Sequence, residues 1–149
     1  MKKTILFFLT ALTILATGCS DGSDEATQTP SPLVSGNATR PEWTAPNSQD
    51  YEQNMTVYLR VQNTLLPYVS ADDLMCATIN GEVRGVGIPT LYDDEWLTPL
   101  VVFSDGAAPI QLSYYCERLH RIYTIDWIAF DTSLPPVGEG TIYTPPFCN

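Results

Sequence analysis

Leu74-Met75-Cys76-Ala77-Thr78-Ile79-Asn80-Gly81-Glu82-Val83-Arg84-Gly85-Val86-Gly87 decides the fold class of this chain. Two extended runs flank an Asn-Gly pair. A type I′ turn needs positive φ at both central residues, and Asn-Gly meets that need with little strain. The stretch therefore predicts two antiparallel strands, Leu74 to Ile79 and Glu82 to Gly87. Upstream, Met55-Thr56-Val57-Tyr58-Leu59-Arg60-Val61 alternates strictly, with Met55, Val57, Leu59 and Val61 on one side, as a half-buried strand requires. Downstream, Leu100 to Phe103, Pro109 to Tyr115 and Ile122 to Phe130 read as further strands, and Ile142 to Phe147 as a segment closing a sheet edge. Ser104-Asp105-Gly106 supplies a turn. Pro89, Pro99, Pro109, Pro135 and Pro136 are expected at strand ends or in loops, where a missing N–H is tolerated. Outside the N-terminus no helical period is sustained; the one place for a short helical turn is Ser70 to Asp73. Six to eight short strands at this spacing predict an all-β fold, an antiparallel β-sandwich of immunoglobulin-like or jelly-roll-like type.

The 149 residues include 17 acids and 7 bases, a formal net charge of −10. Such acidity excludes nucleic acid as a partner, because phosphate binding needs clustered Lys and Arg. Both lysines, Lys2 and Lys3, stand at the extreme N-terminus. Ile5 to Ala16 follows as an apolar stretch of twelve residues, broken only by Thr10 and Thr13. That is the length of a signal-peptide core and short of the ~20 residues that span a bilayer. Ala16-Thr17-Gly18-Cys19 then resembles the lipobox of a bacterial lipoprotein signal peptide, with Ala16 where Leu is commoner. The resemblance implies that residues 1–18 are removed and that Cys19 becomes the lipidated N-terminus, carrying diacylglycerol and palmitate-type acyl chains. Several acyl chains on one residue give stable anchoring, at ~0.8 kcal/mol per buried methylene.

Removal of the leader would leave 131 residues with 17 acids, 5 arginines and a net charge near −12. Residues 19–40 are mostly Ser, Thr, Gly, Asp, Pro and Ala, with only Leu33 and Val34 large and apolar, and are expected to form a disordered tether. Such a tether would hold a domain roughly 25 Å from the lipid. The acidic run Asp21 to Glu25 resembles the surface-export signal of Bacteroidetes-type lipoproteins. The expected location is the outer membrane, at the cell surface, with the periplasmic face as the alternative. The texture changes at Arg40-Pro41-Glu42-Trp43, so the β-sandwich domain is expected over residues 41–149.

Within that domain, Pro41-x-Trp43, Tyr51-Glu52-Gln53-Asn54-Met55-Thr56-Val57, Asp72-Asp73-Leu74 and Ala77-x-Ile79-Asn80-Gly81-Glu82-Val83-Arg84-Gly85-Val86 resemble a small β-sandwich module of Bacteroidetes-type surface lipoproteins. Ile128-Ala129-Phe130-Asp131 and Pro145-Pro146-Phe147 look like its closing strand and tail. The resemblance implies an adhesion or binding part without assigned catalysis. Cys76 and Cys116 depart from it.

Cys76, Cys116 and Cys148 remain after Cys19 is lipidated, and three thiols allow at most one internal disulfide. Cys116 with Cys148, Cys76 with Cys148, and three buried thiols all stay open. Cys116 and His120 are four residues apart, but zinc needs four ligands and no second pair stands nearby, so His120 is expected to be a solvated loop residue. Asp72-Asp73 and Asp93-Asp94-Glu95 are oxygen-rich, yet loop carboxylates are usually solvated. No metal site and no cofactor is expected. There is no Gly-x-Ser-x-Gly and no His-based triad, so the chain is not expected to be an enzyme; a small hydrolase would need two opposed carboxylates across a cleft. Glu82 and Arg84 lie two apart on one strand and are expected to share a face.

Aromatic residues are the candidate contacts. Tyr114 and Tyr115 are adjacent in a predicted strand and must point to opposite faces, so one of them is expected to be exposed. Tyr92 and Trp96 bracket an acidic loop. Exposed rings beside Asp and Asn suit sugars or protein partners. The expected function is a non-catalytic, surface-anchored binding or adhesion module for a glycan or a protein. The alternative is a structural accessory subunit of an envelope complex without a small ligand.

Overall fold

A computed structural model of the chain describes residues 33–130 and 142–147. The leader, Cys19, the tether as far as Pro32, Pro135, Pro136 and Cys148 lie outside the described residues, as do the side chains of Trp127 and Ile128. The strands in chain order are β1 (Leu33–Ser35), β2 (Gln53–Leu59), β3 (Leu74–Ile79), β4 (Glu82–Gly87), β5 (Thr90–Tyr92), β6 (Glu95–Ser104), β7 (Ala108–Cys116) and β8 (Arg121–Phe130). Helical structure among these residues is confined to 3-10 turns at Ser48–Asp50, Leu66–Tyr68 and Glu117–Leu119. The chain is an all-β sandwich. A five-stranded antiparallel sheet, in the order β1-β8-β7-β3-β4, packs on a three-stranded antiparallel sheet, β2-β6-β5.

The deciding stretch folds as read. Asn80 (φ 51°) and Gly81 (φ 81°) make the two-residue turn between β3 and β4, with Ile79 opposite Glu82. A one-residue irregularity between Ala77 and Thr78 then shifts the register. In β2 the alternation is equally direct, with Met55, Val57 and Leu59 buried and Thr56 and Tyr58 half-buried.

Tyr92 and Glu95 close a second two-residue hairpin through Asp93 (φ 44°) and Asp94 (φ 67°). Here the acidic pair is turn chemistry, since Asp tolerates the left-handed region better than most residues. Ser70 to Asp73 forms a hydrogen-bonded turn, and the nearby 3-10 turn lies a few residues earlier, at Leu66–Tyr68.

Two boundaries differ from the sequence reading. The tether expected over residues 19–40 includes β1, which pairs Leu33, Val34 and Ser35 with Thr124, Tyr123 and Ile122, so the ordered unit begins before Pro41. Three residues form this strand because β8 offers a ready-made edge, a long-range gain that a local reading does not contain. Leu100 to Phe103 is the centre of a ten-residue strand, and Pro99 lies inside it opposite Tyr58. Pro99 is tolerated because its carbonyl, and with it the nitrogen on the same side of the strand, points toward β4 and away from the β2 ladder.

β4 and β5 act as one kinked strand that changes sheets. β4 pairs with β3, the chain bends at Ile88-Pro89, and β5 pairs with β6. At this crossing β4 lies on the backbone of β6. A Cβ on Gly85 would stand 2.2 Å from Val101 O, and one on Gly87 would stand 2.6 Å from Pro99 O. Only glycine permits that approach.

The core lies between the sheets. Val57, Leu59, Met75, Leu100, Val102, Leu112 and Tyr114 are all fully buried there. The C-terminal segment completes it. Tyr143 N–H donates to Tyr58 O (2.9 Å), and Arg60 N–H donates to Tyr143 O (2.7 Å). Phe147 is fully buried with its ring 5.7 Å from that of Tyr114. Ile142 to Phe147 thus closes a sheet edge and plugs the core. On the other side of β4, Arg84 caps the Tyr51 ring at 4.6 Å, Tyr51 stacks on Phe103, and Arg84 pairs with Glu82 at 2.8 Å.

Candidate functional site

The five-stranded sheet has one face in the core and one turned away from it. Register assigns the outward side chains in rows. Asp126, Gln111 and Thr78 are direct partners across β8, β7 and β3; Thr124, Ser113 and Cys76 form the next row; Ile122, Tyr115 and Leu74 form the third. The first row is polar throughout. Gln111 Nε2 donates to Asp126 Oδ1 at 3.0 Å, and both residues are exposed. With Asn80 and Gly81 of the hairpin and an apolar floor of Pro109, Ile110 and Ala129, they line a hollow of about 380 Å³. In the second row Ser113 Oγ and Thr124 Oγ1 share a hydrogen bond of 2.9 Å.

At the far end of β7 a second hollow of about 390 Å³ is lined by Asn37, Thr39, Arg40, Tyr115, Glu117 and His120. It forms where the segment after β1 meets the β7–β8 connection. Ala38 N–H donates to His120 O at 2.7 Å, and the Arg40 guanidinium donates to Asp72 O. Glu117 Oε2 is buried and lies 3.7 Å from Arg40 Nη1, and the Glu117 carboxylate adjoins the Tyr115 hydroxyl. Asn37 (φ 53°) and His120 (φ 50°) both hold left-handed backbone. Asn is among the side chains that tolerate this region, and His120 caps the 3-10 turn.

A buried carboxylate fixes this second hollow from beneath. Asp73 is fully buried and accepts from four donors: Tyr114 Oη (2.6 Å), Ser70 Oγ (3.0 Å), Ser70 N (3.0 Å) and Glu117 N (2.9 Å). No cation among the described residues pairs with it. Its charge is carried by hydroxyls and backbone amides, an arrangement that satisfies a buried carboxylate as a counterion would. Burial, and then the Asp73 carboxylate, push the Tyr114 hydroxyl well above the usual tyrosine range. Asp73 thereby ties the Ser70 turn, β7 and the first residue of the β7–β8 connection into one unit.

The aromatic candidates separate. Tyr114 and Tyr115 do point to opposite faces, but neither is exposed: Tyr114 is 0 % and Tyr115 1 % accessible. Tyr114 is a core residue stacked near Tyr123 and Phe147. Tyr115 forms a wall of the second hollow, its hydroxyl pushed up by burial and by the adjoining Glu117 carboxylate. Strand alternation assigned the faces correctly and missed that the outward one is covered at this row. Trp96 is half-buried against the core, whereas Tyr92 is 48 % exposed at the β5–β6 hairpin. Tyr92 and Trp96 lie on the three-stranded sheet, so the structure does not bring them together with Tyr115.

Among the described residues Cys76 and Cys116 are both buried and carry free thiols, and Cys148, the expected partner of either, lies outside the described residues. Burial pushes the Cys76 thiol up to about 12 and raises that of Cys116, whose Sγ lies 3.8 Å from Tyr68 O. Among the described residues no three His, Cys, Asp or Glu side chains converge as a metal site, and no helix is long and apolar enough to cross a membrane.

Sequence reasoning missed Asn37, Arg40, Gln111 and Asp126. Asn37 and Arg40 fell in the expected tether. Gln111 and Asp126 meet only through the β7–β8 register, which slips by one residue between Pro109 and Gln111. No family model, no curated protein and no solved structure matches this chain.

Proposed function

We propose that the protein is an exported lipoprotein, anchored through Cys19 at the outer membrane and facing the cell surface, that binds glycans without chemical turnover. The lipoprotein reading is supported by Lys2-Lys3, the apolar core of the leader and the Gly18-Cys19 junction. The binding reading is carried by one observation: a row of amide, carboxylate and hydroxyl side chains, Gln111, Asp126 and Thr78, aligned on a rigid sheet face above a hollow. Strands about 4.8 Å apart set such groups side by side across the face, where one ligand can meet several of them. Side chains rooted on strands also keep their geometry better than groups on loops.

Among the described residues each hollow is lined by one carboxylate, Asp126 in one and Glu117 in the other, whereas glycoside hydrolysis uses a facing pair. A glycan array probed with the chain from Ser20 onward tests the reading. Selective binding that is lost in Gln111→Ala/Asp126→Ala is the expected result, and silence across the array refutes it. Membrane fractionation of Cys19→Ala tests the anchor: the variant should leave the membrane.

A structural or adhesive role toward another protein is the second reading. Ile88 (50 % accessible), Leu91 (52 %) and Tyr92 (48 %) gather where β4 bends into β5, beside the open edge of β5. Exposed apolar groups beside unpaired strand backbone suit a polypeptide better than a sugar. Loss of binding on Leu91→Asp with the Gln111/Asp126 pair intact would favour this reading.

A further inference from the structure

We infer that residues 33–50 form a releasable strap: they lift off the outward face of the five-stranded sheet as a unit, hinged at Tyr51-Glu52, while the sandwich beneath stays folded. The first observation is a second buried layer. Leu74, Cys76 and Tyr115 are 6 %, 0 % and 1 % accessible, yet none belongs to the core cluster between the sheets. All three point outward by register, and Ser113 beside Cys76 is 8 % accessible. A sheet face is buried only where something lies over it. The contacts of the strap trace that cover. β1 pairs with β8, Ala38 N–H donates to His120 O, the Arg40 guanidinium donates to Asp72 O ahead of β3, and the Tyr51 ring lies against Arg84 of β4. The chain thus passes from one edge of the sheet to the other, with Pro41, Trp43 and Pro46 half-buried along the way.

The second observation is how lightly this cover is held. Every residue of the core cluster comes from Met55 onward, so the strap can leave without opening the core. Its ladder with β8 is three residues long. Between Pro41 and Asp50, among the described residues, its hydrogen bonds join members of the same stretch: Thr44 to Glu42, and Gln49 and Asp50 to Asn47. The hollow of about 390 Å³ is the seam itself, with Asn37, Thr39 and Arg40 on the strap side and Tyr115, Glu117 and His120 on the sheet side. A segment with few buried contacts and mostly local hydrogen bonds opens at a free energy well below that of global unfolding. On the lipoprotein reading, which the inference does not need, the strap is also where load on the anchor first meets the domain.

Two thiols on opposite faces of one sheet separate strap opening from global unfolding. Cys76 lies in the outer buried layer, and Cys116 belongs to the core between the sheets. The chain from Ser20 carrying Cys148→Ser is treated with a disulfide exchange reagent at pH 8 in rising urea, and peptide mapping tells the two sites apart. Below the global transition Cys76 should react about tenfold faster than Cys116 or more, because it needs only the strap to open. Arg40→Ala removes two ties of the strap at an exposed position, the bond to Asp72 O and the ion pair with Glu117. It should raise the Cys76 rate several-fold further and leave the Cys116 rate and the global urea midpoint unchanged. Val57→Ala, in the core between the sheets, should do the reverse, lowering the midpoint and speeding Cys116 alone. Equal rates for the two thiols, both following the global transition, overturn the inference. So does Arg40→Ala if it leaves Cys76 unchanged or speeds both thiols alike, since the strap is then part of one cooperative unit with the sandwich.

Discussion

Replacing Asp73 by alanine should cost the fold about 3–5 kcal/mol, the largest effect expected of any single polar substitution in this chain. The figure follows from the donors the carboxylate serves. Tyr114 is fully buried and its Oη has, besides Asp73, only the weakly accepting Cys116 sulfur beside it; Ser70 N and Glu117 N are part-buried. An orphaned buried donor costs ~1–3 kcal/mol, and the two part-buried amides recover part of that through water. Asp73→Asn should cost about 2 kcal/mol, since one amide oxygen still accepts while the amide NH₂ faces donors. Urea titrations with the slope m held constant read these differences as midpoint shifts. Coupling provides the sharper check. Tyr114→Phe alone removes one donor and one partner together, so the Asp73→Ala/Tyr114→Phe double variant should be less damaged than the sum of the singles by about 1–2 kcal/mol. Additive losses, or an Asp73→Ala cost below 1 kcal/mol, would refute the claim that a neutral donor shell holds this carboxylate.

Other outcomes follow from the same structure. The raised hydroxyl of Tyr114 means that the folded state holds its proton more tightly than the unfolded chain; this stability is present in full below the ordinary value of 10.0 and is lost as pH rises above it. Urea midpoints measured from pH 8 upward should therefore fall above pH 10, and Tyr114→Phe should flatten that fall. Cys76 and Cys116 should resist a disulfide exchange reagent at pH 8 in the native protein and react in urea, because the thiolate is the reactive form and burial disfavours it. Gly85→Ala should destabilise by about 2–4 kcal/mol, measured by thermal melting, since the added methyl meets the Val101 carbonyl rather than a side chain that can move. Asp94→Gly should stabilise by about 0.5–1 kcal/mol, because glycine accepts φ 67° without strain.

Much of the fold was legible in local patterns. Asn80-Gly81 announces its turn, and the alternation from Met55 to Val61 announces which side chains enter the core. What stayed hidden depends on partners distant in the chain. Leu33-Val34-Ser35 is too short to show a period and becomes a strand only because β8 leaves an edge open. Asp93-Asp94 was read as loop chemistry since it lacks the glycine that usually marks a type I′ turn, although the tolerance of Asp for positive φ was a usable signal. Tyr115 shows the limit of alternation, which assigns a face without saying what lies over it. The Gln111–Asp126 pair was beyond reach, because a one-residue slip beside Pro109 sets which residues of β7 and β8 meet. The candidate site is thus a product of register, whereas the Tyr92 surface was readable from composition alone.

The most direct test is a pair of amide ¹H–¹⁵N spectra of the chain from Ser20, free and saturated with the tightest-binding glycan of the array. The account places shifts at Thr78, Asn80, Gln111 and Asp126, around the polar row of the five-stranded sheet. Shifts confined to Ile88 through Trp96, or no shifts at all, would contradict it.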